Sequence, residues 1–79
     1  MNKLPALGQR LHSARKNVFP RDDMRAFSIR VGVSRATLQK MENGDLSVSL
    51  KYYYEAAKVM RIEDCFENLF IIKKSLFDD

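Results

Sequence analysis

Four side chains in one short stretch, Arg35, Ala36, Gln39 and Lys40, have the types and spacing to read the edges of base pairs. Arg and Lys donate to guanine O6 and N7, Gln pairs with adenine N6 and N7, and an Ala methyl meets the methyl of thymine. On a helix turning about 100° per residue, with Arg35 at zero, Gln39 falls at about 40°, Ala36 at about 100° and Lys40 at about 140°. Leu38 and Met41 fall on the other side, at about 300° and about 240°. Residues 34–43 thus divide into a two-residue apolar anchor and a face of Arg, Ala, Gln and Lys. The small Ala36 lets that face approach a partner closely. An ordinary solvated helix carries a similar stripe, so the elements that hold the stretch must decide between the two.

Ser34 stands where it can N-cap this helix, and Gly32 stands where it can end the segment before it by adopting positive φ. That segment reads two ways. "FSIRVGV" (27–33) alternates apolar and polar residues as a strand does. A helix over about 23–31 instead places Met24, Phe27 and Val31 on one face and puts Asp22 or Asp23 at its N-cap. No second strand of comparable quality is available to pair with, so the helix is the better reading. Two helices joined only by Gly32–Val33–Ser34 have the spacing of helix-turn-helix readers, with Val33 pointing into the corner.

The flanks complete an all-α chain of five short helices. Leu4, Leu7, Leu11, Ala14 and Val18 form one stripe of a first helix, with Pro5 tolerated in its opening turn. His12 lies beside the stripe and, with no second His or Cys nearby, is expected at the surface and not as a metal ligand. "NVFPRDD" (17–23) breaks the pattern. After Gly44, Ser49 can cap a helix whose Leu50, Tyr53, Ala57 and Met60 face inward. "DCFENLFIIKK" is expected as a final helix with Cys65 or Phe66, Leu69 and Phe70 inward and Cys65 buried as a small hydrophobe. The domain then spans 1–70, and 71–79 is a tail.

A length of 79 residues allows one small domain with a thin core. Charge is unevenly shared. Residues 1–41 carry nine basic and two acidic side chains, a net of +7, whereas residues 42–79 carry five and eight, a net of −3. A basic front half suits a polyanion. One cysteine excludes an intrachain disulfide and a CxxC-type zinc site, and fits a reducing, cytoplasmic setting. No apolar run approaches a membrane span and the N-terminus lacks a signal-peptide core, so no membrane partner is expected. One histidine, one cysteine and no carboxylate cluster give no catalytic residues, no metal site and no cofactor to nominate.

From about Leu7 to Phe70 the chain resembles the helix-turn-helix domain of the Cro/phage-repressor (Xre-type) regulators. "MRAFSIRVGVSRATLQKMENG" carries the likeness, with Phe27, Val31, Gly32, Val33, Ser34, Leu38, Met41, Glu42 and Gly44 in register. "LGQRLHSARK" (7–16) is similar to the family's first helix and "SVSLKYYYEAAKVMRIED" to its fourth; "GDLSVSL" is most like the HipB-like antitoxin branch. The resemblance implies a five-helix, lambda-repressor-like fold. It implies that Arg35, Ala36, Gln39 and Lys40 face bases, that Ser34 and Asn43 approach phosphates, and that Arg15 pairs with Glu42 in a partly buried contact orienting the reading helix. The chain departs from the pattern at Met24 (usually Gln), Ser28 (usually Ala) and Asp45 (often Lys). Ser28 needs a hydrogen-bond partner such as the carbonyl four residues back. The loop before the second helix is about two residues longer than usual, which either brings Arg21 to the DNA backbone or merely lengthens the loop.

The expected function is that of a sequence-specific regulator, in the main a repressor or autoregulator, bound as a homodimer to a palindromic double-stranded operator. One module this small makes too few contacts for tight specific binding. Ile71, Ile72, Leu76 and Phe77 exceed what a thin core can bury and, with Phe70, form the expected dimer surface; the alternative is a tail that folds back on its own domain. Two alternatives use the same domain: an antitoxin that binds a toxin protein and autoregulates its operon, or a restriction–modification controller protein.

Overall fold

Helix caps set the element boundaries. A computed structural model of the chain describes residues 3–72. It contains α1 (Pro5–Val18), α2 (Met24–Val31), α3 (Arg35–Glu42), α4 (Leu50–Val59) and a 3-10 helix (Glu63–Asn68), with no strand among the described residues. Asp23 N-caps α2 by accepting from the Ala26 N–H at 2.8 Å. Ser34 N-caps α3 by accepting from the Thr37 N–H at 3.0 Å, and Ser49 caps α4 by accepting from the Lys51 N–H at 3.2 Å. Gly32, at φ +88°, closes α2 and makes room for the next cap two residues later. The alternating "FSIRVGV" segment is thus helical up to Val31.

Phe27, Leu38 and Met41, from α2 and α3, are the largest wholly buried side chains. Leu11, Val31, Tyr53, Ala56 and Met60 complete the cluster, and Leu7, Met24 and Val33 pack against it half-buried. Ser28 is buried, and its hydroxyl donates to the Arg25 carbonyl at 2.7 Å, three residues back and not four.

The apolar stripes are shorter than their sequence spacing suggests. Leu4 and Val18, the ends of the α1 stripe, are exposed, whereas Gly8 and Arg15 on the adjoining face are buried with Leu11. Leu50 is exposed as well, although Tyr53 in the same turn of α4 is buried; Ala56 joins Tyr53, Ala57 and Met60 inside. The final segment departs most. A 3-10 turn has about three residues, which aligns Glu63 and Phe66 and turns Cys65 outward. Phe66 is half-buried, edge-on to Tyr54 with ring centroids 5.4 Å apart. Cys65 is exposed and not buried, and Leu69 and Phe70 also face outward beyond the end of the 3-10 helix.

The stretch before α1 fastens onto the end of α3. The Leu4 N–H donates to the Gly44 carbonyl at 2.7 Å, and Lys3 and Asp45 form an isolated antiparallel bridge. Gly44 sits at φ +73° with no room for a Cβ against the Leu4 carbonyl; Gly8 has none against the Glu42 carbonyl. Among the described residues no helix is long and apolar enough to cross a membrane.

Gly32 and Gly44 share positive φ but differ in surroundings, since nothing lies within 4 Å of a Cβ built on Gly32. Gly32→Ala should therefore cost the about 1–2 kcal/mol of left-handed backbone alone. Gly44→Ala should cost more, because the Leu4 strap must also move. Urea unfolding followed by circular dichroism measures both, and equal losses would remove the role given to the Leu4–Gly44 contact.

Candidate nucleic-acid interface

Arg35, Ala36, Gln39 and Lys40 are all exposed on α3, while Leu38 and Met41 are fully buried on its other side. Ser34 lies exposed at the N-terminus of the helix, where its hydroxyl is engaged with both the N–H and the Oγ1 of Thr37. Asn43 lies exposed at the other end as the C-cap. Arg21 is exposed in the loop between α1 and α2. Phe70, Ile71 and Ile72 are exposed at the far end of the described chain; Leu76 and Phe77 lie outside the described residues. The structure thus gathers the α3 side chains on one face, and sets Phe70–Ile72 apart beyond the 3-10 helix.

What fixes the position of α3 is a buried ion pair. Arg15 Nε donates to Glu42 Oε2 at 2.6 Å and Arg15 Nη2 to Glu42 Oε1 at 3.2 Å, a two-pronged contact between α1 and the last turn of α3. Both side chains are about 95% hidden from solvent, with 4% and 5% exposure. The third guanidinium nitrogen, Nη1, donates to the Asp22 carbonyl at 3.3 Å, so one side chain joins α1, α3 and the α1–α2 loop. Burial works against the Glu42 charge. The hydrogen bonds from Arg15 and then His12, with the positive charges behind them, outweigh it and hold the carboxyl below the ordinary glutamate range.

His12 is the participant that sequence reading missed. Its Nδ1 lies 2.9 Å from Glu42 Oε1 and 3.2 Å from Arg15 Nη2. The one available signal was the i, i+3 spacing of His12 and Arg15, which places both on one side of α1. His12 also lines an open depression with Gln9, Ser13, Met24, Gln39 and Glu42, where α1, the start of α2 and α3 meet.

Two other charged groups are engaged within the chain. Arg30 forms a two-pronged salt bridge with Asp22 and stacks over the Phe19 ring at 4.1 Å from its centroid, bracing the loop that carries Arg21. The Arg30 hydrogen bond holds the Asp22 carboxyl below its usual range. Asp45 accepts from the Ser47 N–H at 2.8 Å and the Ser47 hydroxyl at 2.7 Å, and these bonds likewise keep its carboxyl ionised to lower pH. Its backbone carbonyl accepts from the Tyr53 hydroxyl at 2.6 Å, tying the α3–α4 connector to α4. Among the described residues no group of three or more His, Cys, Asp or Glu is placed to hold a metal ion.

In comparisons with protein-family models, curated proteins and solved structures, the chain gives no significant match of any of the three kinds.

Glu42→Gln leaves the Arg15 charge buried without its counter-charge and should cost about 3–5 kcal/mol, the usual penalty for breaking a buried pair from one side. Replacing both, Arg15→Met with Glu42→Leu, should recover much of that loss, as a double-mutant cycle on thermal unfolding would show. The pH dependence has a definite sign. The folded Glu42 carboxyl releases its proton more readily than the unfolded one, so its contribution is complete above the unfolded value of about 4.3 and fades as pH falls below it. An acid-unfolding curve for Glu42→Gln as steep as that of the parent chain would count against this assignment.

Proposed function

We propose that the chain is a sequence-specific DNA-binding regulator with a lambda-repressor-like helix-turn-helix fold, in which α3 is the reading helix. The observation that carries this reading is the exposed Arg35–Ala36–Gln39–Lys40 face on a helix joined to α2 through Gly32, Val33 and Ser34 alone. Each of those polar side chains has a complementary base edge in the major groove, and α3 is anchored from its opposite side by Leu38, Met41 and Glu42. The +7 balance of residues 1–41 supports a polyanion as partner.

The regulator acts as a homodimer on a palindromic operator, a repressor or autoregulator in function. Phe70, at 98% exposure, and the exposed Ile71 and Ile72 form the apolar end through which a second copy associates. Pairing two α3 helices across half-sites supplies the contacts that one module lacks.

Selection of bound duplexes from a random DNA pool tests the central reading. An enriched site and binding that weakens with salt are expected; no enrichment, with salt-independent binding, would sink it. Within an enriched site, Arg35→Ala should cost about 1–3 kcal/mol and relax preference at one base position, and a uniform loss over all sequences would make Arg35 a phosphate contact. Phe70→Ser should shift sedimentation toward the monomer and weaken operator binding. A dimer unaffected by that change would place the interface elsewhere.

A further inference from the structure

We propose that His12 is a proton-controlled contact to the phosphate backbone of a duplex lying on α3, a charge that α1 adds to the edge of the reading face only when its imidazole is protonated. This rests on the DNA-binding reading of α3. The observation behind it is the placement of the ring. Its Nδ1 is held at 2.9 Å by Glu42 Oε1 inside the Arg15–Glu42 pair, while half of the side chain remains in solvent at the rim of the depression that Gln39 also lines.

The hydrogen-bond inventory assigns the two ring nitrogens different tasks. Glu42 Oε1 can only accept, and Arg15 Nη2 can only donate. Nδ1 is closer to the carboxylate than to the guanidinium, 2.9 Å against 3.2 Å, so it carries a hydrogen and donates to Glu42. The remaining nitrogen, Nε2, is then the one not engaged with the ion pair. Unprotonated, it offers a lone pair, which repels a phosphate oxygen. Protonated, it becomes an N–H donor bearing positive charge.

The charged groups facing the ring are Glu42 from α3 and Arg15 from α1, which neutralise each other. From α2, the neutral Met24 borders the depression. The cluster is therefore neutral with the ring unprotonated and carries one positive charge with it protonated. Gln9, Ser13 and Gln39 beside it are uncharged hydrogen-bonding groups, and the one carboxylate in the lining, Glu42, is already paired with Arg15.

The test uses the full chain without a histidine tag, so that His12 supplies the imidazole signal. Affinity for a duplex enriched from the random pool, and for a mixed-sequence duplex, is measured at about pH 6 and about pH 7.5 over a range of salt. Binding should tighten several-fold at the lower pH, and the salt slope should steepen by about 0.9, the value of one added phosphate contact. His12→Gln should remove both changes, and His12→Lys should bind tightly at both pH values. In the parent chain the imidazole resonances should hold the protonated form to higher pH once duplex is added, a readout that needs no variant. Equal pH dependence in the parent and His12→Gln, or an imidazole titration unmoved by duplex, overturns the role of His12 while leaving DNA binding intact. Failure to bind either duplex at both pH values overturns the DNA reading itself, and this inference with it.

Discussion

The position of α3 depends on one carboxylate that is out of place on electrostatic grounds. Glu42 ends a helix whose exposed face is cationic, and it is almost wholly buried. An isolated buried carboxylate is strongly unfavourable, so the charge persists only because Arg15 meets both oxygens and His12 reaches one of them. Arg suits this position better than Lys, because its planar fork can engage Glu42 with two nitrogens and leave a third for the Asp22 carbonyl. The backbone is arranged to make that geometry possible. Gly8 on α1 lies against the Glu42 carbonyl without space for a Cβ, and Gly44 lies against the Leu4 carbonyl in the same way. The polar clamp and the two glycine contacts are parts of one junction, and a side chain at either glycine would alter the spacing that the clamp requires.

An eight-residue helix has little stability of its own in water. α3 persists because each end and one face are held separately: Ser34 caps the start, Glu42 clamps the last turn, and Leu38 and Met41 are enclosed beside Phe27. The core these three side chains make is small, as a short chain dictates. Polar contacts at its margin, among them the Tyr53 hydroxyl to the Asp45 carbonyl and Arg30 to Asp22, fasten the two loops that Phe19 and Val48 also pack against that core.

Local chemistry was the legible part of the sequence. Asp23, Ser34, Ser49 and Gly32 mark helix boundaries because a cap depends on residues three positions away or fewer, and each occupies the boundary where that chemistry places it. The helical reading of residues 27–31 over an alternating pattern also followed from what a lone strand lacks. Less legible was everything set by distant neighbours. Leu50 has the spacing of a core residue and is exposed, while Tyr53 in the same turn is buried. Residues 63–68 wind as a 3-10 helix, and changing the period from 3.6 to 3 moves Cys65 from the inside to the outside. His12 looked unpartnered because its partner is thirty positions away, as the contact with Glu42 shows.

Counting basic residues was also an imperfect guide to a binding face. Arg15 and Arg30 belong to the excess in the front half, yet each is bonded to an acidic partner within the chain, and Arg30 also covers Phe19. Charge number alone cannot separate a cation that builds the fold from one that awaits a ligand; the hydrogen-bond partners can. Among the described residues, no intramolecular hydrogen bond or ion pair involves the side chains of Arg35, Gln39 or Lys40, although all three sit on a helix held firmly from behind. A solvated stripe and a reading face share composition and spacing. Arrangement is what favours a reading face over a solvated stripe: donors left open, on a short helix whose buried side and ends are all restrained, so that binding would need little further ordering of the backbone.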